Sequence, residues 1–339
     1  MYGYEVYIPT YPYRDEDFKS VCTQSKLKRQ CELVCIPAHI ALFVSLSDKV
    51  AKEELRSFFE ASSRKIYWPL EFAHVLRRYR SAWDVPCRTS IEELMEWILA
   101  NTRMRAVELK SPTYKGIRRY IWGKEVSPVL IALSLRRDCY LSHGSALWVH
   151  GLPAVRHPIY VNHEQREKPP NDGDLTQDGI DRAFRNQPRR TKMIYRFGSS
   201  DIILLNGKNT NRLEVRKIEH PGCGSLDVTS IERTLIDISV RPQYAGGVSR
   251  VVSAFAAFRD QVEVRRMARV LKMLDYTYPY HQAIGFYLKR AGYSANDQKL
   301  FAEMGLRFNF YLCHGISEPI FDPEWRIFYP PDASNALKS

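Results

Sequence analysis

The chain has 339 residues, 45% hydrophobic and 12% aromatic, enough apolar material for a core in each of two ordinary domains, with no internal repeat or low-complexity tract. Fifty Lys and Arg against 38 Asp and Glu leave a net charge of +12, a field that draws polyanions, nucleic acid before anionic membrane. The longest apolar run, "PVLIALSL" at 128–135, is far short of the roughly 20 residues that span a bilayer, and no basic segment leads into an apolar one at the N-terminus. The expectation is therefore a cytoplasmic protein without a membrane partner.

Residues 1–40 read as an N-terminal extension of unassigned role, with Tyr2, Tyr4, Tyr7, Tyr11 and Tyr13 ahead of an acidic trio. The seven cysteines are odd in number and spread along the chain, as reduced thiols would be. Cys22, Cys31, Cys35 and His39 lack the close pairs of structural zinc, so no metal site is expected. A helix capped by Ser47 or Asp48 should bury Leu55, Phe58 and Phe59. A second should start at Pro69 and bury Phe72, Val75, Leu76 and Tyr79, leaving Arg77, Arg78 and Arg80 outside. Ser90 and Glu93 spell a capping box for a third, with an apolar stripe of Ile91, Leu94, Met95, Ile98 and Leu99. The period then changes to two: "MRAVELK" and "IRRYIWG" read as paired strands around "SPTYKG".

Three helices followed by a basic hairpin is the order of a winged helix-turn-helix, expected over residues 41–125. Over Arg64–Arg137 there are fifteen basic residues against seven acidic ones. Such runs are commonly no more than solvated faces. Here they crowd the hairpin, where a wing meets phosphates, so the expected DNA contacts are Arg77, Arg78, Arg80, Arg88, Thr89, Ser90, Arg103, Arg105, Lys110, Lys115, Arg118 and Arg119. The third helix, which would normally enter the major groove, is acidic at Glu92, Glu93 and Glu96. That leaves its N-terminal Arg88, Thr89 and Ser90 to touch DNA.

From 126 to 318 the texture is mixed α/β, so the fold class expected of the whole is α+β, with 319–339 as a tail. A helix is expected over Ser127–Arg137, a turn-rich loop over Glu164–Gly179, and strands at "MIYRF", "DIILLN" and "LEVRKI". "VTSIERTLIDI" reads as a helix capped by Thr229 and Glu232, with Ile231, Leu235 and Ile238 facing a core and Arg233 four residues before Asp237, so that the two can pair. Gly246 and Gly247 permit the turn into "VSRVVSAFAAF". Further helices should bury Val264, Met267, Ala268, Leu271 and Leu274, and then Ile284, Tyr287 and Leu288.

"YLSHGSALWVHGL", Tyr140–Leu152, looks chemical, yet Gly144-Ser145-Ala146-Leu147-Trp148 lacks the flanking glycines of a serine nucleophile's elbow. His143 and His150 stand two helical turns apart, about 10 Å, too far for one metal ion. A buried helix from near Ser142, ended by Gly151, accounts for the stretch.

That stretch, "VTSIERTLIDISVRPQYAGGVSRVV" and "QAIGFYLKRAGY", in this order after "RRYIWG", resembles the AbiEi-type antitoxins, the repressor-antitoxins of type IV abortive-infection toxin–antitoxin systems. The resemblance runs over about residues 65–293; residues 1–40 and the acidic third helix depart from it. It implies a winged helix that represses its own operon by binding operator DNA, and a C-terminal domain that counteracts a nucleotidyltransferase toxin encoded nearby. The implied protein is not an enzyme and carries no cofactor. Two basic clusters suit the antitoxin surface: Arg185, Arg189, Arg190 and Lys192 in "RNQPRRTKMIYR", and Arg265, Arg266, Arg269 and Lys272 on the outer face of a helix. The alternatives are a solvated surface, a stand-alone regulator without a toxin, or the nucleotidyltransferase itself. The last needs a Gly-Ser followed about ten residues later by Asp-x-Asp for two magnesium ions. Gly198-Ser199 is followed by a single Asp, and Asp172-Gly173-Asp174 has no Gly-Ser at that distance.

Overall fold

The computed structural model describes residues 49–153, 158–165, 174–188 and 190–334. The N-terminal extension, the Cys22, Cys31, Cys35 and His39 group, the caps at Ser47 and Asp48, Asp172 and Arg189 lie outside the described residues. Those described form two units: one runs up to Lys65 and resumes over Ala73–Thr102, the other comprises Ile66–Phe72 and the chain from Arg103.

The first unit is helical. It contains α1 (Lys49–Ala61), the greater part of α2 (Pro69–Tyr79) and α3 (Ile91–Asn101). Leu55, Phe59, Val75, Leu76, Trp83, Leu94 and Ile98 fill its core, and Phe58 packs against Tyr79 at 4.5 Å between ring centres. The capping box is formed as the sequence predicts. The amide of Glu93 donates to Ser90 Oγ at 3.0 Å and the amide of Ser90 donates to Glu93 Oε2 at 2.7 Å.

In the second unit β1 (Ile66–Tyr67), β2 (Met104–Leu109) and β3 (Ile117–Trp122) form an antiparallel sheet in the order β1-β3-β2. The hairpin was legible from its alternation, but β1 is two residues long and shows no period. There follow α4 (Pro128–Leu133), β4 (Tyr140–Leu141), α5 (His143–Val149), β5 (Ile159–Glu164), α6 (Gln177–Arg185), β6 (Ile194–Phe197), β7 (Ser200–Gly207), β8 (Val215–His220) and β9 (Gly224–Thr229). The strands from β4 to β9 make a six-stranded mixed sheet in the order β6-β7-β5-β4-β9-β8, with β5 parallel to β7 and β4 parallel to β9. Its core includes Ile131, Leu141, Ala146, Val161, Tyr195, Leu204 and Val228.

A helical layer completes the unit: α7 (Ile231–Val240), α8 (Val248–Ala257), α9 (Val264–Leu274), α10 (Tyr280–Arg290) and α11 (Ala295–Ala302). Three short strands, β10 (Phe310–Tyr311), β11 (Ile320–Asp322) and β12 (Ile327–Tyr329), then pack Trp325 and Ile327 into the same core. Strand β12 lies parallel to β10 and antiparallel to β11, so the segment expected as a tail carries structure as far as Ser334. At α10, a Cβ on Gly285 would fall 1.9 Å from the Trp325 ring, so only glycine lets that segment close on the helix.

Several elements differ from the expectation, each for a local reason. Helix α4 ends at Leu133 rather than Arg137, because the guanidinium of Arg119 takes the carbonyls of Ser134 and Leu135 and Asp138 turns left-handed at φ 59°. Ser230, not Thr229, caps α7, accepting from the amide of Arg233 at 3.2 Å; Glu232 turns instead to the amide of Glu263. Part of the expected loop over 164–179 is strand β5 and the start of α6, whose cap is Thr176.

Candidate nucleic-acid and partner-binding surfaces

Charge on a surface matters for recognition only where the fold leaves the cation unused. In the first unit Arg77 and Arg78 are exposed on the last turn of α2, and Arg88 is exposed just before α3. Arg80 is used locally: its Nη2 donates to the carbonyls of Pro86, Cys87 and Thr89 at 2.8 to 3.1 Å and ties down the α2–α3 turn. Ser90 is committed to its cap, and Thr89 is half-buried. Glu92, Glu93 and Glu96 are all exposed on α3, so its flank stays acidic.

On the hairpin Arg103, Lys110, Lys115 and Arg118 are exposed, with Arg118 across the ladder from Glu108, while Arg105 is half-buried. Arg119 corrects the sequence reading. It is 3% exposed, lies over the Trp68 ring at 4.6 Å, and donates to Ser134 O twice, to Leu135 O and to Arg118 O. Burial pushes its guanidinium down to about 10. Its role is to fasten β3 to the end of α4, which takes it out of reach of a phosphate.

The second unit carries the other clusters. Arg185, on the last turn of α6, Arg190 and Lys192 are exposed. On α9, Arg265, Arg269 and Lys272 rim a groove of about 520 Å³ floored by Ala268, Leu300 and Met304. Arg266 is the second correction. It is paired through both Nε, at 3.1 Å, and Nη2 with the carboxylate of Glu214, half-buried away from that groove's lining.

Tyr140–Leu152 behaves as its residues predict. His143 is buried, shares a 2.9 Å hydrogen bond with Ser142 Oγ, and is kept neutral well below its usual range by burial and by the charges of Arg241 and Arg233. His150 Nε2 bonds the Thr229 carbonyl at 2.8 Å, and Ser145 Oγ accepts the amide of Tyr160 at 2.8 Å. Among the described residues no group of His, Cys, Asp or Glu is arranged to hold a metal ion, and no helix is long and apolar enough to cross a membrane.

Sequence reasoning missed a hub at Glu164. Burial pushes its carboxyl up, but the Thr210 hydroxyl, the amides of Arg212 and Thr210 and the phenol of Tyr140 more than offset that and hold it below its usual range. No spacing signal links residue 164 to 210. The Arg233–Asp237 pair, which spacing did suggest, is formed at 2.8 Å with both side chains about 5% exposed or less. Burial pushes the Asp237 carboxyl up against the pull of Arg233, and Asp237 Oδ2 has no partner among the described residues.

These elements define a mixed α+β protein with a basic surface. No family profile matches the chain, and no curated protein does. Among solved structures, the crystal structure of the RV2827C protein from Mycobacterium tuberculosis is similar with a TM-score of 0.53, at 14% identity, over 85% of this chain and 94% of that one. The likeness is one of fold.

Proposed function

We propose that the protein is a DNA-binding repressor and antitoxin of the AbiEi type, which silences its own operon and counteracts a nucleotidyltransferase toxin encoded nearby. The observation that supports the DNA-binding half is the order α1-β1-α2-α3-β2-β3, with β1 antiparallel to β3 and β3 to β2, an order that suits a winged helix. The AbiEi-like blocks at Tyr140–Leu152, Val228–Val252 and Gln282–Tyr293 support the antitoxin half.

The exposed cations set the mode of contact. Arg77, Arg78 and Arg88 serve in the first unit, and Lys110, Lys115 and Arg118 on the hairpin serve as a wing. With α3 acidic, phosphate contacts dominate over base reading, so the affinity should fall by about 0.9 log units per log unit of salt for each phosphate engaged. On the C-terminal side Arg185, Arg190, Lys192, Arg265, Arg269 and Lys272 offer a surface for the toxin or its RNA.

A mobility-shift titration of the upstream DNA at two salt concentrations, with the parent and with Arg77→Glu/Arg88→Glu, tests the first half. Salt-independent binding, or none, refutes it. Co-expression of the neighbouring toxin with the parent and with Arg265→Glu/Arg269→Glu/Lys272→Glu tests the second. Operator binding without any rescue of growth would assign a stand-alone regulator instead.

A further inference from the structure

The tip of the β2–β3 hairpin and the segment that leads into β6 are distant in the chain and side by side in the second unit. The amide of Arg196 donates to the Lys110 carbonyl at 2.9 Å, and the two residues oppose each other in an antiparallel bridge. Residues opposed in this way carry their side chains on one face. Further along the tip, the Thr113 hydroxyl donates to the Lys192 carbonyl. Lys192 is also held from behind. The Thr191 hydroxyl donates to the Leu204 carbonyl at 3.0 Å and accepts the amide of Met193 at 3.2 Å, and the Met193 carbonyl accepts the amide of Leu204 at 2.9 Å. The segment is therefore pinned to β7 while its other edge meets the hairpin.

This join brings together two basic runs that the sequence keeps apart. There is no Asp or Glu from Leu109 to Arg118, and none from Arg182 to Ser200. Lys110, Lys115, Arg190 and Lys192 are all exposed. The acids that flank the two runs are met by other cations: Glu108 stands across the ladder from Arg118, and Asp201 accepts from Arg196 at 2.9 Å. Tyr114, 51% exposed between the two lysines of the tip, adds a phenol of the kind that also donates to phosphate oxygens. Exposed cations on a backbone fixed by hydrogen bonds suit a line of phosphates, which asks for charge at set positions and for no group that reads a base.

We infer that the DNA surface does not end at the hairpin but continues onto the segment that leads into β6, where Arg190 and Lys192 contact phosphates of the same duplex as Lys110 and Lys115. The inference rests on the DNA-binding reading above, and it moves these two cations from the toxin-facing set to the operator-facing one.

The test is a salt titration, by fluorescence anisotropy, of the full chain binding two duplexes: the upstream DNA and a random sequence of equal length. Phosphate contacts carry no sequence information, so the same change is expected on both. Arg190→Gln/Lys192→Gln should lower the slope of log affinity against log salt by about 1.8, two contacts at about 0.9 each, and weaken binding roughly 60-fold at about 0.1 M salt. Lys110→Gln/Lys115→Gln should do the same. Arg265→Gln/Lys272→Gln removes equal charge from the α9 groove and should keep the parent's slope, as should the charge-preserving Arg190→Lys/Lys192→Arg. All should melt within about 2 °C of the parent, because the changed side chains are exposed. Should Arg190→Gln/Lys192→Gln fail to fold, Lys192→Gln alone decides, with a slope lower by about 0.9.

If Lys110→Gln/Lys115→Gln loses slope while Arg190→Gln/Lys192→Gln keeps it, DNA binding stands and the inference is overturned. It is overturned equally if the α9 variant loses as much slope, since net charge and not position would then be acting, or if Arg190→Gln/Lys192→Gln binds DNA like the parent and loses only protection against the toxin. Parent binding that ignores salt, or no binding, removes the DNA-binding reading and the inference with it.

Discussion

Removing Arg233 alone should damage the protein more than removing it together with its partner. Arg233 and Asp237 lie on α7, the most enclosed helix of the second unit, where every residue from Glu232 to Ser239 is buried. Arg233 Nε donates to Asp237 Oδ1 at 2.8 Å and Nη1 donates to the Leu213 carbonyl at 2.9 Å. Arg233→Met keeps the length of the side chain and leaves a buried carboxylate with neither oxygen held by Arg233. Breaking a buried pair from one side in this way costs about 3–5 kcal/mol. For a unit of this size, about 2–4 °C per kcal/mol implies a fall in Tm of roughly 6–20 °C. The double change Arg233→Met/Asp237→Leu removes both charges and should recover most of that loss, since well-packed apolar replacements of buried pairs are often neutral or stabilising by about 1–4 kcal/mol. Thermal melts of the two variants beside the parent decide the matter. If the single change melts within about 2 °C of the parent, or the double melts below the single, the charges are not acting as a buried pair and the reasoning fails.

The remaining expectations concern other elements. Gly285→Ala should destabilise by at least about 3 kcal/mol, beyond ordinary overpacking because Trp325 sits 1.9 Å from the new carbon; adding Trp325→Leu should relieve it in urea unfolding. Arg119→Met should lower stability by roughly 1–3 kcal/mol through the stranded carbonyls of Ser134 and Leu135, yet leave the salt slope of DNA binding unchanged. His143 has a folded-state pKa well below the ordinary 6.5, so only the unfolded chain takes up a proton there as pH falls below that value. Stability is therefore full above about pH 6.5 and drops below it by up to about 1.4 kcal/mol per pH unit from this residue, and His143→Asn should flatten the Tm profile between about pH 7.5 and 5.5.

Where local chemistry decided an element, the sequence was enough to find it. Ser90 with Glu93, Pro69 at a first turn and the alternation of Met104–Leu109 against Ile117–Trp122 are signals carried within one turn or one hairpin, and the corresponding elements form there. What was not legible depends on partners distant in the chain. Strand β1 exists because Ile66 and Tyr67 meet Ile121 and Tyr120, and β12 because it lies between β10 and β11; two or three residues carry no period of their own. Thr229 looked like a cap because it precedes Glu232 by three, but its hydroxyl bonds Thr234 inside the core while Glu232 reaches a different helix. Tyr160 and Tyr244 belong to elements some eighty residues apart, so their ring pair had no signature at either position.

The arginines show why charge is the weaker guide to a site. Arg118 and Arg119 are adjacent in the same basic hairpin and were indistinguishable by composition, yet strand geometry sends neighbouring side chains to opposite faces. Arg118 is exposed, whereas Arg119 meets Trp68 and the carbonyls at the end of α4 and is consumed in holding the sheet. Arg265 and Arg266 divide in the same way on α9, where a rotation of about 100° per residue leaves the first on the groove and turns the second to Glu214. A guanidinium offers five donors, and where backbone carbonyls or a carboxylate lie within reach the fold uses them before any ligand can. The +12 of the whole chain therefore overstates the charge available for recognition. The cations that stay exposed at α2, the hairpin tip, the end of α6 and the α9 groove are the ones to reverse first.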